Sequence, residues 1–279
     1  MITAEHVGYA YRGNVRTVSD LSFHIEKGEF VALLGENGAG KTTAVKLIAG
    51  LLRPTEGRMT VNGLDTAKTK VSERAKQVGF LFQNPDRQIC ENTVRDEIAF
   101  GLRAVWGKKE TDRIRERMDE LLEVFGFRGD EDPFSLSRGQ RQQVALASTL
   151  APRPAVLLLD EPTTGLDYRE CTRIMEFIRR LNETEGTTVV MVCHDMEIVL
   201  DYARRALVMA GGRLLDDGPV KEIFRDAPLL EKASLLPPQI VQIAGRLGGA
   251  FAGADDAQTL SSLIAEAAKK TESKGGGKS

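Results

Sequence analysis

Short apolar runs of strand length recur along the chain, separated by stretches whose apolar residues return at helical spacing. Phe30-Val31-Ala32-Leu33-Leu34 is apolar throughout, as a strand buried on both faces must be, and Thr42 to Leu52 places Leu47, Ile48 and Leu51 on one helix face. Val78 to Phe82, Val156 to Leu159 and Thr187 to Cys193 repeat the strand pattern. Residues 1–34 instead alternate, with Leu21, Phe23 and Ile25 on one face and a Lys27-Gly28 turn; Met59-Thr60-Val61 and an Asn62-Gly63 turn add a hairpin. Those segments predict a small antiparallel sheet. Between residues 86 and 153 helical spacing dominates: Asn92 to Trp106, then Glu110 to Phe125 with Ile114, Met118, Leu121, Leu122 and Phe125 as its core face. Leu136 to Gln140 opens a further helix carrying Val144, Ala147, Leu150 and Ala151, stopped by Pro152. Another helix turns Ile174, Met175, Ile178 and Leu181 inward and stops at Gly186, and a Gly211-Gly212 hairpin and a short helix from Pro219 follow. After Leu235-Leu236-Pro237-Pro238 two short amphipathic stretches surround the small-residue segment Gly248 to Ala257, and Thr271 to Ser279 has the composition of a disordered tail. The pattern predicts an α/β fold: a domain at 1–235 with a parallel-sheet core, an antiparallel β subdomain and an inserted helical subdomain at about 86–153, then a small C-terminal extension at 236–279.

Composition narrows the function more than the fold. With 279 residues and 42% apolar positions the chain can build a substantial core. Its 38 basic and 40 acidic residues nearly cancel and no basic run stands out, so nucleic acid is not an expected partner. Cys90, Cys171 and Cys193 lie far apart without a CxxC spacing, which argues against zinc or a disulfide framework and suits a reducing compartment. No leader pattern opens the chain and no apolar run reaches membrane-span length, so the expected setting is cytoplasmic, with any membrane role exerted through a partner chain.

The candidate chemistry begins at Gly35-Glu36-Asn37-Gly38-Ala39-Gly40-Lys41-Thr42-Thr43, between the first buried strand and its helix. Glycines there let successive N–H groups approach phosphate oxygens, and the helix N-terminus adds its positive end. Lys41 would reach the β- and γ-phosphates, and the Thr42 hydroxyl would ligate a Mg²⁺ that keeps most of its waters. The stretch resembles the P-loop of the P-loop NTPase (RecA-like) fold, a likeness that implies ATP and Mg²⁺ as ligands. Gln83, at a strand end, could take a place on Mg²⁺, orient the attacking water, or cap local backbone. Asp160 and Glu161 end another buried strand; Asp160 could hold Mg²⁺ through water, and Glu161 could take a proton from the attacking water. His194 follows a third strand and is read as a γ-phosphate contact. Ser137 is a natural N-cap, or with Gly139 and the helix dipole a donor to an anion. Tyr11, beside Tyr9, could stack on an adenine or pack on its own sheet; position alone leaves both readings open.

Taken in order, Gly35 to Thr43, Gln83, Leu136 to Gln140, Leu159 to Glu161, Gly165 to Asp167 and His194 resemble the Walker A, Q-loop, signature, Walker B, D-loop and H-loop of the ABC ATPase family. The resemblance implies that Tyr11, in the segment YRG, is the adenine-stacking residue. It also implies that two cassettes, a homodimer or a heterodimer with a related subunit, sandwich two ATP molecules. Each ATP would lie between one subunit's Walker A and the other's Ser137, Arg138, Gly139 and Gln140, with Asp167 in the D-loop. FQNPDRQ (Phe82 to Gln88), TVRDEIAFGL (Thr93 to Leu102) and the C-terminal extension resemble the ATPases of energy-coupling factor (ECF) importers of vitamins and of cobalt or nickel. That likeness implies an ATPase bound to integral membrane subunits at the cytoplasmic face of the membrane. It implies further that Asn92 to Leu102 receives coupling helices, with Val94, Ile98 and Leu102 at helical spacing and Arg95, Asp96 and Glu97 as rim charges. Two departures stand out: Arg138 replaces a glycine of the usual signature, and Gln143 replaces a basic residue common after it. A non-transport ABC ATPase switch acting on a macromolecular complex is the rival reading; neither a second cassette nor a long coiled coil favours it. A P-loop kinase would leave the signature and His194 unexplained.

Overall fold

Which strands join which sheet follows from how many of their faces are buried. The computed structural model describes residues 1–11, 15–107, 109 and 111–275, with residues 269–275 described by their backbone alone. The chain opens with β1 (Ile2–Tyr11), β2 (Val15–Ile25), β3 (Phe30–Leu34) and α1 (Lys41–Ile48), then β4 (Glu56–Val61), β5 (Leu64–Asp65), the single turn α2 (Val71–Arg74) and β6 (Val78–Leu81). Three helices follow, α3 (Val94–Trp106), α4 (Thr111–Phe125) and α5 (Arg138–Leu150). The core resumes with β7 (Val156–Asp160), α6 (Tyr168–Glu185), β8 (Thr188–Val192), α7 (Met196–Tyr202) and the hairpin β9 (Arg205–Ala210) and β10 (Arg213–Pro219). α8 (Val220–Ile223), α9 (Ala227–Lys232), α10 (Gln239–Leu247) and α11 (Ala257–Gly275) complete the described chain.

The larger sheet has the order β10-β9-β3-β8-β7-β6, parallel from β9 to β6 with β10 antiparallel at its edge; the smaller, β2-β1-β4-β5, is antiparallel. Every residue of β3, β7 and β8 is buried. Their side chains alternate between two cores. Val31, Leu33, Val156, Leu158, Val190 and Val192 face the antiparallel sheet and α1, while Ala32, Leu34, Leu157, Leu159, Val189 and Met191 face the helices. The inserted helices share that second core, so Ile98, Leu121 and Leu146 belong to one apolar mass with Leu157 and Met191. Parallel order brings the C-terminal ends of β3, β6, β7 and β8 to one edge, where α/β sheets bind ligands.

Some boundaries differ from the sequence-based expectation. α1 stops at Ile48, because Gly50 takes a left-handed φ of 66°, and Leu51 is 49% exposed instead of facing the core. Glu110 lies outside the described residues, and α4 begins at Thr111. Thr271 to Gly275 continue α11 as helix, contrary to the expected disordered tail, while residues 276–279 lie outside the described residues. The extension has its own small cluster of Ala244, Ala254 and Leu260, with Ile240, Phe251 and Leu263 against it.

Candidate nucleotide site

The loop after β3 is shaped by what surrounds it. Gly40 has φ 96°, and a Cβ there would stand 2.7 Å from the Thr17 carbonyl oxygen, so only glycine lets the loop close against β2. α1 then starts at Lys41 without a side-chain cap or a first-turn acid, leaving its terminal N–H groups for an anion. Lys41 is 6% exposed and folds back to donate to the Gly35 and Glu36 carbonyls at 2.7 and 2.9 Å. Burial pulls its pKa down, against the opposing charges of Glu161, Asp160 and Glu36. Ala39 and Thr43 are buried, and Asn37, Gly38 and Thr42 line an open cavity of about 260 Å³. Tyr11 stands at the rim, 41% exposed, with its hydroxyl 3.5 Å from Thr43 Oγ1 and its ring edge-on to Tyr9 at 4.9 Å. It thus packs on its own strand and also faces the loop; Arg12 and Gly13 of its segment lie outside the described residues.

Opposite the loop, β7 delivers two carboxylates into different surroundings. Asp160 is 1% exposed, and Thr42 Oγ1 lies 3.4 Å from its Oδ1. Burial pushes the Asp160 carboxyl up and the Glu161 charge adds to the rise, while the Thr42 bond and the Lys46 and Lys41 charges oppose it. Glu161 takes a left-handed φ of 56°, strained for a residue with a side chain. Its Oε1 accepts from Gln83 Nε2 at 2.9 Å and lies 3.3 Å from His194 Nε2, and its Oε2 accepts from Thr164 Oγ1 at 3.2 Å. Its backbone is held too: the N–H donates to Val192 O at 2.9 Å, and Gln142 Nε2 donates to its carbonyl at 3.2 Å. The strain is therefore over-determined by neighbours. Among the described residues no group of three or more His, Cys, Asp or Glu could cage a metal. Two hard oxygens, Thr42 Oγ1 and Asp160 Oδ1, fit a Mg²⁺ that keeps several waters and takes the rest of its ligands from phosphate.

The structure brings the loop, Gln83, Glu161 and His194 to one cavity, with Asp160 buried behind Thr42, and leaves Ser137 to Gln140 and Asp167 outside it. Ser137 caps α5: its Oγ accepts the Gln140 N–H at 3.2 Å, and Gln140 Oε1 accepts the Ser137 N–H at 3.0 Å. Ser137, Arg138 and Gln140 are exposed, whereas Gly139 is buried against the Gly165 backbone, so closely that a Cβ there would stand 2.3 Å from the Gly165 carbonyl oxygen. Asp167 caps α6 by the same reciprocal pattern with Glu170, whose Oε1 accepts from Gln143 Nε2 at 2.8 Å. Gln143 is thus 2% exposed and ties α5 to α6, a bond a lysine or arginine there could also donate.

Of the expected docking contact, Val94, Ile98 and Leu102 are fully buried in the core and one rim residue is misplaced. Arg95 and Asp96 are on the surface, paired with Asp119 at 3.3 Å and with Thr93 at 2.8 Å. Glu97 is 2% exposed, because its Oε2 accepts the Cys90 and Glu91 N–H groups at 2.9 and 3.0 Å; it cannot receive a partner's arginine in this arrangement. Thr17, Thr164 and Gln142 join the site without a motif of their own to mark them in the sequence. Gln142 and Thr164 lie beside recognised motifs, whereas Thr17 reaches the cavity only through the packing of the antiparallel sheet. A larger cavity of about 590 Å³, between α6, α7 and α8, carries none of these groups.

Comparison with known proteins agrees with this geometry. The family described as ABC transporter matches residues 18–164. A Caldanaerobacter subterraneus subsp. tengcongensis protein with the provisional name ABC transporter ATP-binding protein is 45% identical over 92% of this chain and 45% of its own length. A Photobacterium profundum protein with the same provisional name is 41% identical over 89% of this chain and 44% of its own. The chain thus spans less than half the length of the curated relatives it matches. Among solved structures, cbiO1 from Clostridium perfringens, described as part of the ABC transporter complex cbiONQ, superposes with a TM-score of 0.72 and 31% identity, covering 88% of this chain and 96% of that one. The ATP-binding cassette MJ0796, a dimer in a post-hydrolysis state bound to ADP and Pi, superposes with a TM-score of 0.71 and 28% identity, covering 79% and 99%.

Proposed function

The chain belongs to the ABC transporter ATP-binding family, and on that premise we propose that it hydrolyses ATP with Mg²⁺ to energise an ECF-type importer of a vitamin or a transition-metal ion. The observation that carries the hydrolytic part is the convergence of Gln83, Thr164 and His194 on Glu161, across from the phosphate loop. Lys41 exchanges its loop carbonyls for the β- and γ-phosphates, and Tyr11 stacks on the adenine. Thr42, Asp160 and Gln83 would hold a Mg²⁺, which would supply charge neutralisation of the phosphates. Glu161 takes the proton of the attacking water, with His194 and Gln83 fixing its carboxylate and contacting the γ-phosphate. Ser137, Arg138, Gly139 and Gln140 act on nucleotide held by another subunit, since they lie outside their own chain's cavity. The ECF assignment draws on Phe82 to Gln88, Thr93 to Leu102 and the extension, and on the likeness to cbiO1. It places the protein peripherally at the cytoplasmic face of the membrane, paired with a like or related ATPase and docked on integral membrane subunits.

Glu161→Gln tests the hydrolytic assignment directly. The variant should bind ATP as the wild type does and turn over about 10²- to 10⁴-fold more slowly, the usual loss for a general base. Steady-state ATPase near the wild-type rate would remove Glu161 from the role.

A further inference from the structure

The segment between Gln83 and α3 is tied down more firmly than a connecting loop requires. Pro85 and Ile89 are buried, and Asn84 Oδ1 accepts the Asp86 N–H at 3.0 Å. Gln88 spans the segment: its Oε1 accepts the Phe82 N–H at 3.2 Å, and its Nε2 donates to Ala145 O at 2.9 Å and Thr149 Oγ1 at 2.7 Å on α5. Asp86 pairs with Arg141 of α5 at 2.7 Å. At the far end Glu97 reaches back from α3 to take two N–H groups on one oxygen, with Ser148 Oγ of α5 at 3.4 Å from the other. A carboxylate this deeply buried is costly, and the ion pairs among the described residues do not include Glu97. An apolar residue would fill the space more cheaply, so what the acid adds is its pair of charge-assisted bonds to the 90–91 backbone. Mechanically, residues 84–91 belong to α3 and α5. Toward the phosphate side they reach the Glu161 carboxylate through Gln83, while α5 holds the Glu161 backbone carbonyl through Gln142 at 3.2 Å.

We propose that Glu97 is a positioning residue for ATP hydrolysis: together with Gln88 it clamps residues 84–91 onto α3 and α5. Gln83 at one end and Ser137 at the start of α5 then shift as one body when Gln83 changes its hold on Glu161. The inference rests on the hydrolytic role of Glu161. It follows that loosening the clamp misplaces Gln83 and Ser137 while leaving the phosphate loop, which sits on β3 and α1, unaltered. Turnover should suffer and nucleotide binding should not.

Three variants and one comparator test this. Glu97→Ala removes the acceptor, Glu97→Gln keeps one oxygen for the same N–H groups, and Gln88→Ala cuts the other tie from a half-buried position. Leu121→Ala loosens the same helical core at a fully buried site without touching the segment, and so measures what destabilisation alone does to kcat. ATP turnover and the Kd of a fluorescent ATP analogue are read with the melting temperature. The two clamp-breaking alanine variants should lose about tenfold in kcat with Kd within about twofold, and Glu97→Gln should stay within about threefold of wild type. Wild-type kcat in both, a kcat no lower than that of Leu121→Ala, a Kd that weakens in step with kcat, or a Glu97→Gln as slow as Glu97→Ala would overturn the proposal. If Glu97→Ala does not fold, Gln88→Ala decides. Failure of the underlying reading is separately visible, as undiminished turnover in Glu161→Gln.

Discussion

Cys193 and His194 are neighbours in sequence with opposite surroundings: the thiol is 3% exposed and the imidazole faces the cavity. Burial pushes the Cys193 pKa from 9.0 to about 11. Below pH 9 the thiol is protonated whether the chain is folded or unfolded. Between pH 9 and about 11 the unfolded chain gives up that proton and the folded chain keeps it, so this contribution to stability is lost as pH rises. At about 1.4 kcal/mol for each pH unit, it amounts to roughly 2 kcal/mol by pH 11. Urea unfolding at pH 8 and pH 10.5 should show a smaller alkaline loss for Cys193→Val than for the wild type; equal losses would exclude the thiol as a source. Glu161 carries backbone strain. Its left-handed backbone costs on the order of 1–3 kcal/mol, and bonds from its own N–H to Val192 and from Gln142 to its carbonyl hold it there.

Among the elements, α5 and the loop before α6 meet backbone to backbone. Gly139→Ala would drive a methyl group into the Gly165 carbonyl at 2.3 Å, and neither partner is a flexible side-chain end. The substitution should cost about 1–3 kcal/mol in denaturant unfolding and slow ATP turnover by shifting Asp167, with nucleotide affinity retained. Unchanged stability and turnover would mean that the two elements separate freely. α3 offers the other element-scale test. Asp96 accepts from the Thr93 hydroxyl in the first turn and lies 4.0 Å from the Arg103 guanidinium, both half-exposed, so a partner's arginine could replace Arg103 there. Asp96→Lys should cost up to about 1 kcal/mol of helix stability and leave isolated ATPase activity within about twofold. Co-purification with the membrane subunits should be lost; retention of the complex would move the docking surface elsewhere.

For the whole molecule, the separation of Ser137 from its own phosphate loop sets the expectation of a composite site. Lys41→Ala and Ser137→Arg chains should each be inactive alone. Mixed, they form dimers in which one site carries both defects and the other neither, so activity should return toward a quarter of wild type, as random pairing and one working site per mixed dimer give about half times half. A mixture that stays inactive after subunit exchange is demonstrated by mass spectrometry would count against the sandwich or against independent sites. The relatives that match over only 45% and 44% of their own length are long enough to hold more than one such unit, which is compatible with pairing of this kind.

The sequence by itself determined the strands, the core helices and the identity of the chemical groups. A strand buried on both faces has to be almost wholly apolar, as β3 is throughout and β8 is after Thr188, and a phosphate loop has to carry glycine, lysine and threonine in order. Such requirements act over a few residues and so are written locally. Where α1 ends was less legible, because Gly50 overrides an apolar pattern that runs on to Leu51. What only the tertiary structure decided are the meetings of distant segments: Gln83 and His194 on Glu161, Thr17 at the cavity, Gly139 on Gly165, and the burial of Glu97. Those meetings depend on the order β3-β8-β7-β6 and on how α3 and α5 seat against it. A glutamate in the first turn of an amphipathic helix reads as a solvated charge until the three-dimensional path of the chain turns the Cys90 and Glu91 N–H groups onto it and seats Ser148 of α5 against it.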